Sequence, residues 1–136
     1  MDFEIRPLVE SDYEDTLVGW WKDWRWIPPI RDFLPNNGCG GIMVLDDNIP
    51  VCAGFLYTTN SGVAWVEFIV SDRNYKIKGN RSIALHLLVD TLTNIAKNME
   101  FAYCYTLINN KSLIGVYSKL GYIKSSENSV EMIKKL

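Results

Sequence analysis

The sequence has no long hydrophobic run, and this absence excludes the simplest kind of membrane protein. No stretch approaches the roughly 20 consecutive apolar residues that a bilayer-spanning helix needs. The opening residues, MDFEIRPLVE, contain no apolar segment of the kind found in secretory signal peptides. We therefore expect a cytoplasmic protein without a membrane partner.

Side chains that bind metals or form disulfides are scarce. The chain has three cysteines, Cys39, Cys52 and Cys104, in no C-x-x-C pair, and its single histidine is His86. A structural zinc site would need all of these distant residues to converge. We expect reduced thiols and no metal. Because Cys52 and Cys104 fall in predicted strands, we expect both to be buried and unreactive.

Charge of one sign does not dominate the composition. There are 14 Lys+Arg against 16 Asp+Glu, which gives a formal net charge of −2. Proteins that bind nucleic acid through its phosphates normally carry a surplus of basic residues, so we expect no nucleic-acid partner. The chain has 136 residues, 48% of them hydrophobic, with no repeat or Ser/Gly-rich linker, and this predicts one domain over residues 1–136.

Hydrophobic periodicity and turn residues predict the element order β-α-β-β-β-α-β-α-β-β. The predicted strands cover residues 3–8, 41–45, 51–58, 63–70, 101–107, 122–124 and 130–133. The predicted helices begin at Ser11, near Asn80 and at Lys111, and they end before Pro28, near Met99 and at Lys119. Ser11 and Glu14 have the spacing of a helix-capping pair.

This order predicts an α/β fold. The short connections among the strands at 41–45, 51–58 and 63–70 favour an antiparallel meander. The long helix after residue 70 allows the strand at 63–70 and the strand at 101–107 to run parallel, by a right-handed crossover. The expected architecture is therefore a mixed β-sheet with helices on both of its faces.

The segment 72–88 reads as an anion-binding loop. A strand ends, a basic loop containing Gly79 follows, and a helix begins at once. A helix N-terminus offers unpaired N–H groups and about half a positive charge, to which Arg73, Lys76, Lys78 and Arg81 add full charges. Such a loop suits a pyrophosphate. The alternative is that Gly79 only turns the chain and that the cations are solvated.

The segment 110–122 carries the second signal. Asn110 is a good N-cap for a helix beginning at Lys111, and Gly121 is a good left-handed C-cap. Tyr117 lies beside the apolar face of that helix. From the residues alone, Tyr117 is either a functional phenol or an ordinary residue at the boundary of an amphipathic helix.

Taken together, the two segments resemble the GNAT superfamily of N-acetyltransferases. That family has a Gln/Arg-x-x-Gly-x-Gly/Ala loop at the start of its long helix and a later Asn…Tyr-x-Lys-x-Gly-Phe segment. The second pattern is matched well by Asn110, Tyr117 and the residues after it. The loop departs from the pattern, since Lys76 stands where Gln or Arg is usual and Arg81 replaces a small residue.

The resemblance implies that acetyl-coenzyme A is the co-substrate. Its pyrophosphate would be held by the loop Lys76, Ile77, Lys78, Gly79, Asn80, Arg81 and Ser82. Its pantetheine arm would lie beside Phe68, Ile69 and Val70, with Asn110 and Tyr117 nearby. We expect the Arg81 side chain to swing outward and contact a phosphate; the alternative is that it blocks the coenzyme.

Two residues are predicted to act in the transfer. Glu67 is the only charged residue in its strand, and we expect Trp65 and Ile69 to flank it on one face. Desolvation there would raise its pKa and suit a general base; the alternative is a strand residue that faces solvent. By resemblance, Tyr117 would donate a proton to the departing thiolate.

The acceptor implied by the resemblance is an amine on a small molecule or a protein. Several tryptophans crowd the segment 20–26, and Trp24 and Trp26 beside Asp32 would hold an organic cation. The alternative is that these tryptophans only pack the core. A homodimer remains open. The alternative to an enzyme is a catalytically inactive GNAT-fold module that binds acyl-coenzyme A or a protein partner.

Overall fold

The computed structural model describes residues 3–75, 77 and 79–136. Its strands are β1 (Phe3–Pro7), β2 (Gly41–Asp46), β3 (Ile49–Tyr57), β4 (Val63–Ser71) and β5 (Tyr103–Tyr105). Its helices are α1 (Glu10–Asp12), α2 (Val18–Asp23), α3 (Asn80–Asn98) and α4 (Lys111–Lys119). A π-helical stretch, Tyr13–Leu17, joins α1 to α2, and 3₁₀ turns occupy Arg31–Phe33 and Pro35–Gly38.

The strands form one mixed sheet in the order β1-β2-β3-β4-β5. Strands β1 to β4 pair antiparallel, and short connections join β2 to β3 and β3 to β4, whereas β4 pairs parallel with β5. The crossover between β4 and β5 is made by α3, which lies against the sheet. The predicted meander and the predicted parallel pair are both confirmed.

Each face of the sheet buries its own hydrophobic cluster. One face packs against α3 and α4 through residues such as Val66, Leu88 and Leu92. The opposite face packs against the α1–α2 segment, with Leu17, Trp21 and Phe55 fully or almost fully buried. Helices therefore cover both faces, as predicted, and two of the crowded tryptophans, Trp20 and Trp21, are core residues.

The start and the end of the first helical segment differ from the prediction. Ser11 and Glu14 do not form the expected cap. Instead the Asp12 carboxylate accepts a hydrogen bond from the backbone N–H of Val9 at 2.8 Å. It also pairs with Arg6 at 2.7 Å, an ion pair that lowers the pKa of Asp12. The segment ends at Asp23, before the prolines, because Arg25 turns the chain with a φ of +62°.

The predicted terminal strands, 122–124 and 130–133, are not formed, and residues 122–136 contain no strand. The chain after α4 turns toward α3 instead of toward the sheet edge. The ring of Tyr122 packs edge-on against Tyr117, and its hydroxyl lies 2.6 Å from that of Thr93 on α3. The tail beyond is exposed, as Val130 and Ile133 show.

A bulge in β4 decides which side chains share a face. Ala53 pairs with Val70 and Phe55 pairs with Glu67, so one residue of β3 faces two residues of β4. The extra residue is accommodated at Phe68, whose φ is +54°. The bulge moves Ile69 to the α3 face, away from Glu67. The expectation that Ile69 flanks Glu67 is therefore wrong, because strict alternation fails at a bulge.

Cys52 is buried in β3, and burial raises the pKa of its thiol. Cys104 is partly buried, and its pKa is also raised, chiefly by desolvation. Across residues 3–75, 77 and 79–136, no three metal-ligating side chains come together. No helix in that part of the chain is long and apolar enough to cross a bilayer.

Candidate active site

A gap opens between β4 and β5, the last two strands at one side of the described sheet. The nine residues of β4 face only three residues of β5, and their pairing ends where Trp65 meets Tyr105. On that side of β4, residues 66–71 have no partner strand within the described chain. An unpaired strand edge can bind another extended chain through its N–H and C=O groups.

Tyr117 closes the inner end of this gap. Its side chain is 2% exposed, and its hydroxyl donates a hydrogen bond of 2.9 Å to the Val66 carbonyl. Burial raises the pKa of Tyr117 strongly, and the negative charge of Glu67 raises it further, against the nearby Thr106 side chain, which lowers it. The phenol therefore keeps its proton throughout the physiological pH range.

Glu67 lies at the mouth of the same gap. Its carboxylate accepts a hydrogen bond of 2.9 Å from the Thr106 hydroxyl and another from the backbone N–H of Leu107. Burial raises the pKa of Glu67 and outweighs these two hydrogen bonds, which lower it. The side chain is half-buried, so the desolvation expected from the sequence is present.

Thr106 connects the two ionisable groups. Its hydroxyl donates its single hydrogen to Glu67, and its closeness to Tyr117 lowers the pKa of that phenol. No pattern in the sequence singled out Thr106, because the predicted strand 101–107 placed it within regular pairing. Its role depends on β5 ending at Tyr105.

The predicted anion-binding loop precedes α3, and the structure describes part of it. Gly79 is the N-cap of α3 with a φ of +82°, and among the described residues other than its chain neighbours nothing comes within 4 Å of the position its Cβ would take. Ile77 and Ser82 are exposed and Asn80 is half-buried. The predicted ligands Lys76 and Lys78 lie outside the described residues.

Arg81 does not swing outward as the sequence predicted. One terminal nitrogen of its guanidinium donates to three backbone carbonyls, those of Asp72 at 3.1 Å, Arg73 at 2.8 Å and Tyr75 at 2.6 Å. The side chain thus ties the loop between β4 and α3 to the first turn of that helix. A guanidinium has several N–H donors in a fixed fork and suits a site where several carbonyl oxygens converge.

The other predicted coenzyme contacts fall around the gap. Asn110 caps α4 as predicted, since its side-chain oxygen accepts from the Leu113 N–H at 3.1 Å. Phe68 is half-buried at the bulge, while the side chains of Ile69 and Val70 are buried on opposite faces. The backbone of these three residues belongs to the part of β4 that does not pair with β5.

The structure does not assemble the predicted acceptor site of Trp24, Trp26 and Asp32. The Trp24 indole donates to the Ser71 carbonyl at 2.8 Å, and its ring is already covered by the chain's own cations, Arg73 and Arg81. Trp26 stacks on Trp24 with centroids 5.7 Å apart. The Asp32 side chain forms no hydrogen bond or ion pair with the described residues.

A different aromatic group surrounds Glu67. We call it the aromatic wall; it consists of Phe33, Tyr57, Trp65, Phe68 and Tyr105. Glu67 and Trp65 share a face with their partners on β3. The negative charge of Glu67 adds to burial in raising the pKa of Tyr57, which places the two side chains near each other. The two aromatic residues of β4, Trp65 and Phe68, were visible in the sequence, but the contribution of Phe33 was not.

No protein-family model matches the sequence, and no curated protein matches it. The fold, however, is shared by many solved structures. The ribosomal-protein-S18-alanine N-acetyltransferase of Escherichia coli is 16% identical, with a TM-score of 0.68, over 92% of this chain and 80% of that one. A GNAT family acetyltransferase of Staphylococcus aureus is 14% identical, with a TM-score of 0.61, over 98% and 100%.

N-acetylglutamate synthase from Neisseria gonorrhoeae, in a structure complexed with coenzyme A and N-acetylglutamate, is 12% identical. Its TM-score is 0.73, and the match covers 96% of this chain and 30% of that one. At these identities the likeness establishes the fold alone. The chain has the GNAT acetyltransferase fold, which confirms at that level the resemblance that the sequence motifs indicated.

Proposed function

We propose that this protein is an acetyl-coenzyme A-dependent N-acetyltransferase that passes the acetyl group directly to a primary amine. The observation that supports it most is the gap between β4 and β5, where Glu67, Thr106 and Tyr117 meet. A hydrogen-bonded carboxylate with a raised pKa and a protonated phenol stand at one opening. These are the two proton-transfer groups that direct acyl transfer requires.

The residues around the gap fit the coenzyme. Side chains already occupy the carbonyls of Val66 and Ser71, and the backbone edge between these two residues suits the amide groups of a pantetheine arm, which would pair with it as an added strand. The start of α3, with open space at Gly79, suits a diphosphate, and Lys76 and Lys78 would add positive charge. When bound, the coenzyme supplies the activated acetyl thioester.

Two side chains would move the protons. A lysine-like amine has a pKa of about 10.4, so its deprotonation near pH 7 costs roughly 4–5 kcal/mol. Glu67 would accept a proton from the amine as its nitrogen bonds to the acetyl carbon. Tyr117 would donate its proton to the sulfur as the carbon–sulfur bond breaks. The products are an N-acetyl amide and free coenzyme A.

Replacing Gly79 by alanine tests the coenzyme site. A side chain at φ +82° is strained by about 1–2 kcal/mol, and the added methyl group would occupy the space that we assign to the diphosphate. We expect calorimetry to show coenzyme A binding to Gly79→Ala at least about tenfold more weakly than to the wild type.

Gly38→Ala is the matched control. Gly38 also has a positive φ, +95°, and an added methyl group there would meet its neighbours at ordinary contact distances. It should lose comparable stability and retain coenzyme binding. Equal loss of binding in both variants would mean that strain, not the site, is responsible. No binding by the wild type would contradict the proposed function.

Arg81→Met tests whether the internal contacts of Arg81 shape the loop. Losing the donor to three carbonyls should loosen the loop and weaken coenzyme A binding about tenfold, with kcat at saturation nearly unchanged. Arg73→Met removes the same charge from an exposed side chain that donates only to the Asp23 carbonyl. Equal weakening in both variants would assign the effect to charge alone.

A further inference from the structure

The aromatic wall around Glu67 has no part in the proton transfers proposed above. The rings of Phe33 and Phe68 meet edge to face with centroids 5.7 Å apart, and those of Trp65 and Tyr105 are 4.3 Å apart. The wall is open to a ligand, since Phe33 is 42% exposed and Tyr105 is 49% exposed. Exposed aromatic side chains grouped beside a reacting carboxylate suggest a binding surface.

The backbone holds these rings around the carboxylate. Tyr57 pairs with Trp65 across the sheet, so both lie on the face that carries Glu67. The Tyr57 hydroxyl donates to the Phe33 carbonyl at 2.7 Å, which ties the 3₁₀ turn to β3. Tyr57 also packs against the ring of Phe68, with centroids 6.2 Å apart. The aromatic wall and the Glu67 carboxylate lie on the same side of β4, and together they form the surface that we call the cleft.

The charges around this cleft have one sign. Glu67 forms no ion pair with a lysine or arginine of the described residues. Among the described residues, the neighbouring charge that shifts the pKa of Glu67 is the negative charge of Glu131, which raises that pKa. Ring faces attract cations, and so do carboxylates. The cleft is therefore complementary to a cation, and among the described residues no lysine or arginine pairs with its carboxylate.

We infer that the acceptor is a primary amine carried on an aromatic or other apolar group, without a carboxylate next to the amine. This inference rests on the proposed acetyl transfer. The ammonium form is drawn to Glu67 and the ring faces, and the apolar group packs against Phe33, Tyr57 and Phe68. A carboxylate on the carbon bearing the amine would lie unpaired beside Glu67, which is unfavourable in a partly desolvated site.

Three acceptors of similar shape test this inference. They are 2-phenylethylamine, L-phenylalaninol, which carries a neutral hydroxymethyl group beside the amine, and L-phenylalanine, which carries a carboxylate there. Thiol release from acetyl-coenzyme A gives kcat/KM for each. We expect L-phenylalanine to react at least about 30-fold less efficiently than L-phenylalaninol, since like charges a few ångströms apart repel strongly at low effective dielectric.

Two variants test the wall. Phe33→Ala should raise the KM for 2-phenylethylamine about tenfold with little change in kcat, because it removes contact area and not proton transfer. Ile27→Ala is the control, since Ile27 is 92% exposed in the same connection between α2 and β2. It should leave the KM unchanged.

Binding of each amine to the coenzyme A-loaded protein, measured by calorimetry, separates the two proposals. If other amines are acetylated while these three are equally poor, or if L-phenylalanine matches L-phenylalaninol, the acceptor inference is overturned and the acetyl transfer stands. If 2-phenylethylamine binds and L-phenylalanine does not, yet no amine releases thiol, the cation site is supported and the acetyl transfer fails.

Discussion

Replacing Tyr117 by phenylalanine is expected to lower kcat about 100-fold, which is the lower part of the range for losing a general acid. The ring still fills its buried position on α4, so the fold is retained. The coenzyme should bind nearly as before, because the change removes a proton donor and not a contact surface. Thiol release at saturating acetyl-coenzyme A, combined with calorimetry of coenzyme A binding, measures both quantities.

Tyr122→Phe is the matched control for this variant. Tyr122 packs against Tyr117, and its hydroxyl also has a hydrogen-bond partner, Thr93. Removing the Tyr117 hydroxyl leaves the Val66 carbonyl without its donor, at a cost of about 1–3 kcal/mol in the free energy of unfolding. Activity should fall only for Tyr117→Phe. Full activity in that variant would remove the phenol from the mechanism.

Replacing Glu67 by glutamine is expected to lower kcat/KM about 100-fold at neutral pH. The base acts in its ionised form, so the rate of the wild type should rise with pH through the raised pKa of Glu67. The glutamine variant should lack this rise of the rate with pH, which forms the acidic limb of the pH profile. Glu131→Gln is the control: it removes the like charge that raises the pKa of Glu67, so the limb should move to lower pH with the same plateau.

Stability should change in the opposite sense to activity for Glu67→Gln. The pKa of Glu67 is about 4.3 in the unfolded chain and higher in the folded chain. As pH rises between these two values, the unfolded chain loses its proton first, so the free energy of unfolding of the wild type falls. The glutamine oxygen can still accept from Thr106 and Leu107. We expect the variant to gain stability over the wild type across that window and to keep the gain above it, as urea unfolding at several pH values would show. A variant that is inactive and also unstable would indicate a structural carboxylate.

Local signals in the sequence predicted most of the fold correctly. The bounds of α4 follow from the Asn110 cap and the left-handed Gly121, and those of α3 follow from its apolar stripe after Gly79. Caps, turns and periodicity depend on neighbours within a few residues, so a single sequence contains them. The same is true of the meander, whose connections are short.

The chemistry of the site depended on contacts that no local pattern contains. The bulge at Phe68 places Glu67 and Ile69 on opposite faces, and the early end of β5 frees Thr106 to reach the carboxylate. Arg81 was expected outside the loop because its charge suggested a phosphate. Arg81 instead points inward, where it donates to three carbonyls of its own chain.

Phe68 has opposite effects on stability and on the proposed acceptor site. A phenylalanine with a φ of +54° is strained by roughly 1–2 kcal/mol, and glycine would relieve that cost. Yet glycine would delete the ring that packs against Phe33 and Tyr57 and would leave the cleft without its central surface. Selection for heat resistance alone would therefore favour Phe68→Gly, and we expect that variant to discriminate less between substrates.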